Sequence, residues 1–119
     1  MTLRQAQGRS RFTGYAALFD VVDRVGDVFR RGSFGAGEVP LLREHRGPAI
    51  GTVRVSEDER GLLVEGAADA VRVGDGLSVG FRAVRARQGA RRQILAAELV
   101  EVSLVGVPMQ AGARVMSVG

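Results

Sequence analysis

The 119-residue chain contains no cysteine, no tryptophan and no lysine, and it has a single histidine. The absence of cysteine excludes disulfide bonds and thiolate metal sites. With one histidine, a zinc site would need carboxylates for nearly every ligand, so neither a metal nor another cofactor is expected. The single histidine, His45, is also the only imidazole that could serve as a base.

Aromatic residues and long hydrophobic runs are also scarce. The chain has five Phe and one Tyr, and packing in strands explains them better than a stacking surface for nucleic acid does. No apolar run approaches the roughly 18 residues that cross a bilayer, and no hydrophobic signal segment follows residues 1–5. We therefore expect an intracellular protein without a membrane partner.

Positive charge is carried by arginine alone, with 17 basic residues, a formal net charge of +4 and a sequence pI near 11.1. This balance favours acidic partners, including nucleic acid. The main local concentration consists of Arg82, Arg85, Arg87, Arg91 and Arg92. A solvent-exposed face of a hairpin explains this group as well as a row of contacts to nucleic-acid phosphates does. No specific nucleic-acid partner is expected, and a basic nucleic-acid-binding β-barrel stays as a minor alternative.

Size and composition, with 45% hydrophobic and 25% charged residues, fit one folded domain over residues 1–119. Seventeen glycines divide the chain into short segments, and six or seven of these segments are predicted to be strands. The best helix candidates, Ser33–Glu38 and Ala67–Arg72, are short. These patterns predict a mainly β fold, a small closed or nearly closed antiparallel β-barrel with few short helices.

Three polar residues are placed by this strand pattern. The clearest strands form two hairpins, Ile50–Ser56 with Leu62–Gly66 and Leu77–Arg87 with Gln93–Val105. Ser78 and Glu101 lie on the two strands of the second hairpin, so strand pairing can bring them close. The apolar run Val39–Leu42 ends just before His45, which places His45 where a strand passes into a loop.

The order of His45, Ser78 and Glu101 is typical of a serine peptidase with a histidine base and an acidic third member. Ser78 lies in a Gly-x-Ser-x-Gly sequence, which is also the nucleophile elbow of α/β-hydrolases. That fold is excluded because no histidine follows Ser78 and the next segment is strand-like. Glu98 lies three positions before Glu101, so alternation predicts that the two glutamates lie on opposite faces and that at most one of them points to His45. A solvent-facing charge is the simpler assignment for Glu98.

Seven sequence blocks occur in a defined order along nearly the whole chain. They are Gly14–Asp20 with Asp23–Asp27, Arg31–Phe34, Pro40–His45, Pro48–Gly51, Gly61–Gly66, Asp75–Phe81 and Leu99–Met109. In number and order they resemble the prohead, or capsid-maturation, protease family of tailed double-stranded DNA phages, whose fold is similar to that of the herpesvirus assemblins. The family's two usual helices look shortened here, so assemblin-like dimerisation is not implied, although a homo-oligomer is compatible with the sequence.

The resemblance implies roles for three residues, with Ser78 as nucleophile, His45 as base and Glu101 as acidic third member. By analogy, backbone N–H groups in Gly106–Met109 are candidates for the oxyanion hole. The implied activity is that of a serine endopeptidase that cleaves the major capsid protein and the scaffold. It would act inside the assembling procapsid in the cytoplasm of the bacterial host, for a phage or a phage-like particle such as a gene transfer agent. The alternative is a non-catalytic capsid-assembly component that keeps the protease fold.

Overall fold

The computed structural model describes residues 9–119, and in this range the chain forms eight strands and no helix. The strands are β1 (Arg9–Leu18), β2 (Asp27–Phe29), β3 (Gly37–Arg43), β4 (Arg46–Glu57), β5 (Gly61–Asp69), β6 (Gly76–Gln88), β7 (Arg92–Val105) and β8 (Val115–Val118). The predicted mainly β fold is confirmed. Both predicted hairpins are also confirmed, as β4 with β5 and β6 with β7.

All eight strands belong to one sheet, in the order β2-β7-β3-β4-β5-β1-β8, with β6 paired to β7 off this path. The pairings of β7 with β2 and with β3 are parallel. The predicted closed or nearly closed antiparallel barrel is not confirmed, because the sheet of the described residues stays open. The start of β6 meets the segment before β8 through an isolated bridge, Gly76 with Arg114, and a hydrogen bond from Leu77 N to Ala113 O.

The two predicted helices are wrong, and each has a local reason. In Ser33–Glu38, Gly35 adopts a positive φ of 75° that no α-helix allows. In Ala67–Arg72, the first residues continue β5 as partners of β1, and Ala70, with φ 58°, then turns the chain. Pairing with a strand distant in sequence therefore overrides the weak helix propensity of these segments.

The core determines which way the two faces of the β6–β7 hairpin point. Leu77 and Val102 are fully buried, and Leu104 is 4% exposed. Successive side chains on a strand point to opposite faces. Burial of these three side chains on one face therefore turns Ser78 and Ser103, which are direct partners in the ladder, to the other face.

A group of interacting side chains connects β1 to the turn between β4 and β5. The Tyr15 hydroxyl donates a hydrogen bond to the Asp58 carboxylate, and the Arg60 guanidinium lies 4.8 Å from the centroid of the Tyr15 ring. This bond raises the pKa of the Tyr15 hydroxyl and lowers the pKa of Asp58. The ionised carboxylate is therefore the form that stabilises this corner of the sheet.

Substitution Tyr15→Phe tests this interaction. We expect it to lower the free energy of unfolding by about 1–2 kcal/mol at neutral pH, because Asp58 loses a charge-assisted hydrogen bond. The folded-state pKa of Asp58 is depressed, so its contribution is present above the unfolded-state pKa of about 4 and is lost as pH falls through the folded-state value. Urea unfolding of both proteins at pH 7 and below pH 3 should show the difference shrinking in acid. An equal difference at both pH values would contradict the assignment.

Candidate active site

His45 lies in the two-residue turn that joins β3 to β4, where Arg43 pairs with Arg46. Both turn residues have positive φ, 53° at Glu44 and 61° at His45. Hairpin turns of this kind favour Asn and Gly, and the left-handed conformation costs other residues roughly 1–2 kcal/mol each. The position of His45 at the end of a strand is as predicted, and its strained backbone is the kind found at functional sites.

The strained turn is held by hydrogen bonds to the end of β7. The Glu44 N–H donates to Leu104 O at 3.0 Å, and the Glu44 carboxylate accepts the Gly106 N–H at 2.8 Å. The His45 N–H donates to the Ser103 hydroxyl oxygen at 3.0 Å. These bonds offset the backbone strain and fix the imidazole relative to β7.

The His45 ring contacts the carboxylate of Glu101, with 2.7 Å between Nδ1 and Oε2. The other oxygen, Oε1, accepts a hydrogen bond from the Ser103 hydroxyl at 2.7 Å. Ser103 is fully buried and Glu101 is 9% exposed. An ionised carboxylate only accepts hydrogen bonds, so Nδ1 carries the proton of the neutral ring and Nε2 is left with a free lone pair. The arrangement thus prepares Nε2 to accept a proton.

Gly80 provides the space that the Glu101 side chain occupies. The two residues are partners in the β6–β7 ladder. A Cβ atom at Gly80 would clash with Glu101 Oε2 and would lie 2.7 Å from its Cδ. The carboxylate therefore lies across the backbone of Gly80, and this is a position where only glycine fits without displacing it.

Ser78 and His45 line the same cavity of about 90 Å³. Ser78 is 5% exposed, and among residues 9–119 no hydrogen bond of 3.5 Å or less joins its hydroxyl to the His45 ring. The other lining residues, which include two acidic side chains, are Ala16, Asp23, Val25, Asp27, Phe29, Val79, Phe81, Met109 and Gln110. The wall is mainly apolar, so a substrate group that enters it is separated from bulk water.

The two glutamates of β7 have different surroundings. Glu98 is exposed and pairs with Arg82, whereas Glu101 is buried against His45. The ladder shifts between Gly80 and Phe81, which leaves one extra residue, Val100, in β7. The alternation used to place the glutamates on opposite faces is interrupted by this bulge. Glu98 does not contact His45 because it lies farther along β7 than Glu101 and pairs with Arg82.

Sequence reasoning missed three residues of this site. Ser103 follows Glu101 by two positions, so the alternation of a strand could have placed it on the same face. Gly80 is the second glycine of the Gly-x-Ser-x-Gly sequence, but that sequence does not indicate that it makes room for a carboxylate. Nothing in the sequence marked Glu44 as the partner of Gly106. That bond also removes the Gly106 N–H from the predicted oxyanion donors.

Within residues 9–119, no group of three or more His, Cys, Asp or Glu side chains is placed to hold a metal ion. The same part of the chain has no helix that is long and apolar enough to cross a membrane.

The model of the family described as caudovirus prohead serine protease matches residues 1–118. No curated protein and no solved structure matches the chain.

Substitution Gly80→Ala tests the geometry of the carboxylate. We expect the new methyl group to displace Glu101 from His45 Nδ1 and from Ser103 while the fold is kept, because the displaced atoms end a flexible side chain. Since the protein has one histidine, the hydrogen-bonded Nδ1 proton should give a single downfield proton NMR resonance that the variant loses. Gly37→Ala is the matched control, because a Cβ there meets nothing within 4 Å. A resonance unchanged in Gly80→Ala would refute the arrangement.

Proposed function

The chain belongs to the caudovirus prohead serine protease family, and on this basis we propose that it is a serine endopeptidase with Ser78, His45 and Glu101 as its catalytic residues. The observation that carries this assignment is the 2.7 Å contact between His45 Nδ1 and Glu101 Oε2. It lies beside a cavity that Ser78 also lines. A base held in one tautomer by a carboxylate, next to a hydroxyl, is the arrangement that activates a serine nucleophile.

In this mechanism the Ser78 hydroxyl attacks the carbonyl carbon of a peptide bond as His45 Nε2 accepts its proton. The tetrahedral intermediate then collapses to an ester on Ser78 as His45 returns the proton to the leaving amine. A water molecule, deprotonated by His45 in the same way, hydrolyses this ester and restores the Ser78 hydroxyl. Glu101 keeps the imidazole in the required tautomer and stabilises its positive charge. Hydrogen bonds between nucleophile and base are often long in unbound enzymes and shorten when substrate binds. The lack of a Ser78–His45 hydrogen bond among residues 9–119 is therefore compatible with this mechanism.

The oxyanion would be held by backbone N–H groups of the loop after β7. In Gly106–Met109, the Gly106 N–H is bonded to Glu44, and Pro108 has no N–H. The N–H groups of Val107 and Met109 donate no hydrogen bond within residues 9–119. Met109 lines the cavity together with Ser78, so we propose its N–H as the first donor.

The proposed substrates are the major capsid protein and the scaffold, cleaved during maturation of the procapsid. Membership of the family supports this substrate class. We propose that cleavage takes place inside the procapsid as it assembles in the bacterial host, for a phage or for a related gene transfer agent.

One observation favours a second candidate, a non-catalytic assembly component with the protease fold. Ser78 is buried and lacks a hydrogen bond to His45 among the described residues. The strained turn and the buried His45–Glu101 pair argue for catalysis instead, because a purely structural loop gains nothing from either.

Substitutions Ser78→Ala and His45→Ala decide between these candidates. Each should abolish processing of the co-expressed capsid partner, read as the intact masses of both products, and the double variant should be scarcely worse than either single one. Ser56→Ala, on β4, is the matched control and should process normally. Processing by Ser78→Ala at the rate of the unsubstituted protein would leave the non-catalytic component as the function.

Substitutions Glu101→Gln and Glu98→Gln separate the two acids. Glu101→Gln should lower cleavage by up to about 10⁴-fold, because an amide cannot stabilise the imidazolium and favours the wrong tautomer. Glu98→Gln should have little effect, because Glu98 is exposed and pairs with Arg82. Rates measured on one substrate at a fixed enzyme concentration compare them. A large loss for Glu98→Gln with none for Glu101→Gln would assign the third member to Glu98.

A further inference from the structure

The net positive charge of the protein is concentrated in one part of the sheet. The tip of the β6–β7 hairpin, Arg82–Glu98, which we call the basic hairpin, contains five arginines and one glutamate. Its excess of four positive charges equals the net charge of the whole chain, +4. The rest of the protein is therefore neutral on balance, and the electrostatic attraction of an acidic partner is directed to this hairpin.

Three arginines of the basic hairpin lack an acidic partner among residues 9–119. Arg82 pairs with Glu98, and Arg92 pairs with the buried carboxylate of Asp27. The remaining three, Arg85, Arg87 and Arg91, are exposed. Among residues 9–119, no carboxylate oxygen lies within 4.0 Å of their guanidinium groups. Their bidentate donors are available to carboxylates of another molecule.

Beside these arginines, no strand within residues 9–119 pairs with the outer edge of β6. Within the described part of the chain, β6 pairs with β7 on one side, and its other side contacts the Ala113–Arg114 segment only at Gly76 and Leu77. The edge from Val79 to Gln88 thus presents free backbone N–H and C=O groups, beginning one residue after Ser78. Such an edge can accept an extended polypeptide as an added strand.

Polypeptide fits this surface better than nucleic acid does. A nucleic-acid strand has no backbone groups that continue a β-ladder, and it is usually bound on exposed aromatic rings. The aromatic residue nearest to the basic hairpin, Phe81, is packed against Phe29 with ring centroids 5.0 Å apart. It is therefore committed to the core and does not form a stacking platform.

We propose that the free edge of β6 and the basic hairpin bind an extended acidic segment of the substrate protein next to the cleaved bond. This inference rests on the proposed function. Arg85 and Arg87 lie seven and nine positions beyond Ser78, which is about 24–31 Å at 3.4 Å per residue. A substrate strand has the same rise. The enzyme therefore selects substrates that carry Asp or Glu about seven to nine residues from the cleaved bond.

Binding is measured with the full-length Ser78→Ala protein, so that no cleavage interferes. The probe is a fluorescent peptide of alternating glutamate and threonine, long enough to cover Val79–Arg87. Adding Arg85→Ala and Arg87→Ala should weaken binding about tenfold, which corresponds to about 1.4 kcal/mol. Adding Arg11→Ala and Arg54→Ala, which removes two exposed arginines from β1 and β4, is the matched control and should change little.

The position of the peptide is read from backbone amide NMR shifts, which should be largest along Val79–Arg87. Several results would overturn the proposal. These are equal losses from both double variants, tighter binding of a DNA oligonucleotide of the same charge at the same arginines, or shifts elsewhere in the protein. Self-association of the Arg85/Arg87 variant with unchanged peptide binding would also overturn it, since it would show that the arginines only keep the strand edge from pairing with itself.

A separate measurement with the active protein links this surface to cleavage. The Arg85/Arg87 double variant should process the co-expressed capsid partner more slowly than the Arg11/Arg54 double variant. Absence of processing by the unsubstituted protein would refute the proposed function and leave the peptide-binding result intact. Normal processing by the Arg85/Arg87 variant would refute the proposed role of the basic hairpin alone.

Discussion

The buried carboxylate of Glu101 is the group on which the geometry of the site depends. Removing a charge from water costs several kcal/mol unless hydrogen bonds compensate it. Here the compensation comes from the His45 ring on one oxygen and from the Ser103 hydroxyl on the other. The side chain reaches both because Gly80 leaves its path open. Four residues, Glu101 included, from two strands and one turn therefore have positions that satisfy a single charge.

The position of His45 depends in turn on the parallel pairing of β3 with β7. The register sets Leu42 beside Ser103 and Arg43 beside Leu104, so the turn that follows β3 projects over the end of β7. Hydrogen bonds from the His45 N–H to the Ser103 hydroxyl oxygen and from the Glu44 N–H to Leu104 O then hold that turn in its left-handed conformation. The strained backbone of the turn and the fixed orientation of the His45 ring have the same origin, because β7 supplies the groups that bond to both.

The sequence predicted features that depend on neighbouring segments, and it failed where distant segments decide. Alternation predicted the two hairpins because each one buries one face and is closed by a short turn. The alternation of apolar and polar residues along β3 and β7 does not reveal that the two strands pair in parallel. The predicted antiparallel barrel therefore did not match the open sheet. Counting by twos from Glu98 to Glu101 failed because Val100 is an extra residue in the ladder. The ordered sequence blocks predicted the family, yet Ser103 and Gly80, which hold the carboxylate in place, were not recognised.

The large sequence separation of the His45–Glu101 contact, 56 residues, has a consequence for biosynthesis. The ribosome completes β3 and β6 before β7 leaves the exit tunnel, so an emerging chain exposes His45 and Ser78 while the carboxylate that orients the imidazole is still absent. Closing so long a loop also places this contact among the later events of folding. The arrangement of His45 and Glu101 therefore cannot form until the segment that carries Glu101 and Ser103 has left the exit tunnel.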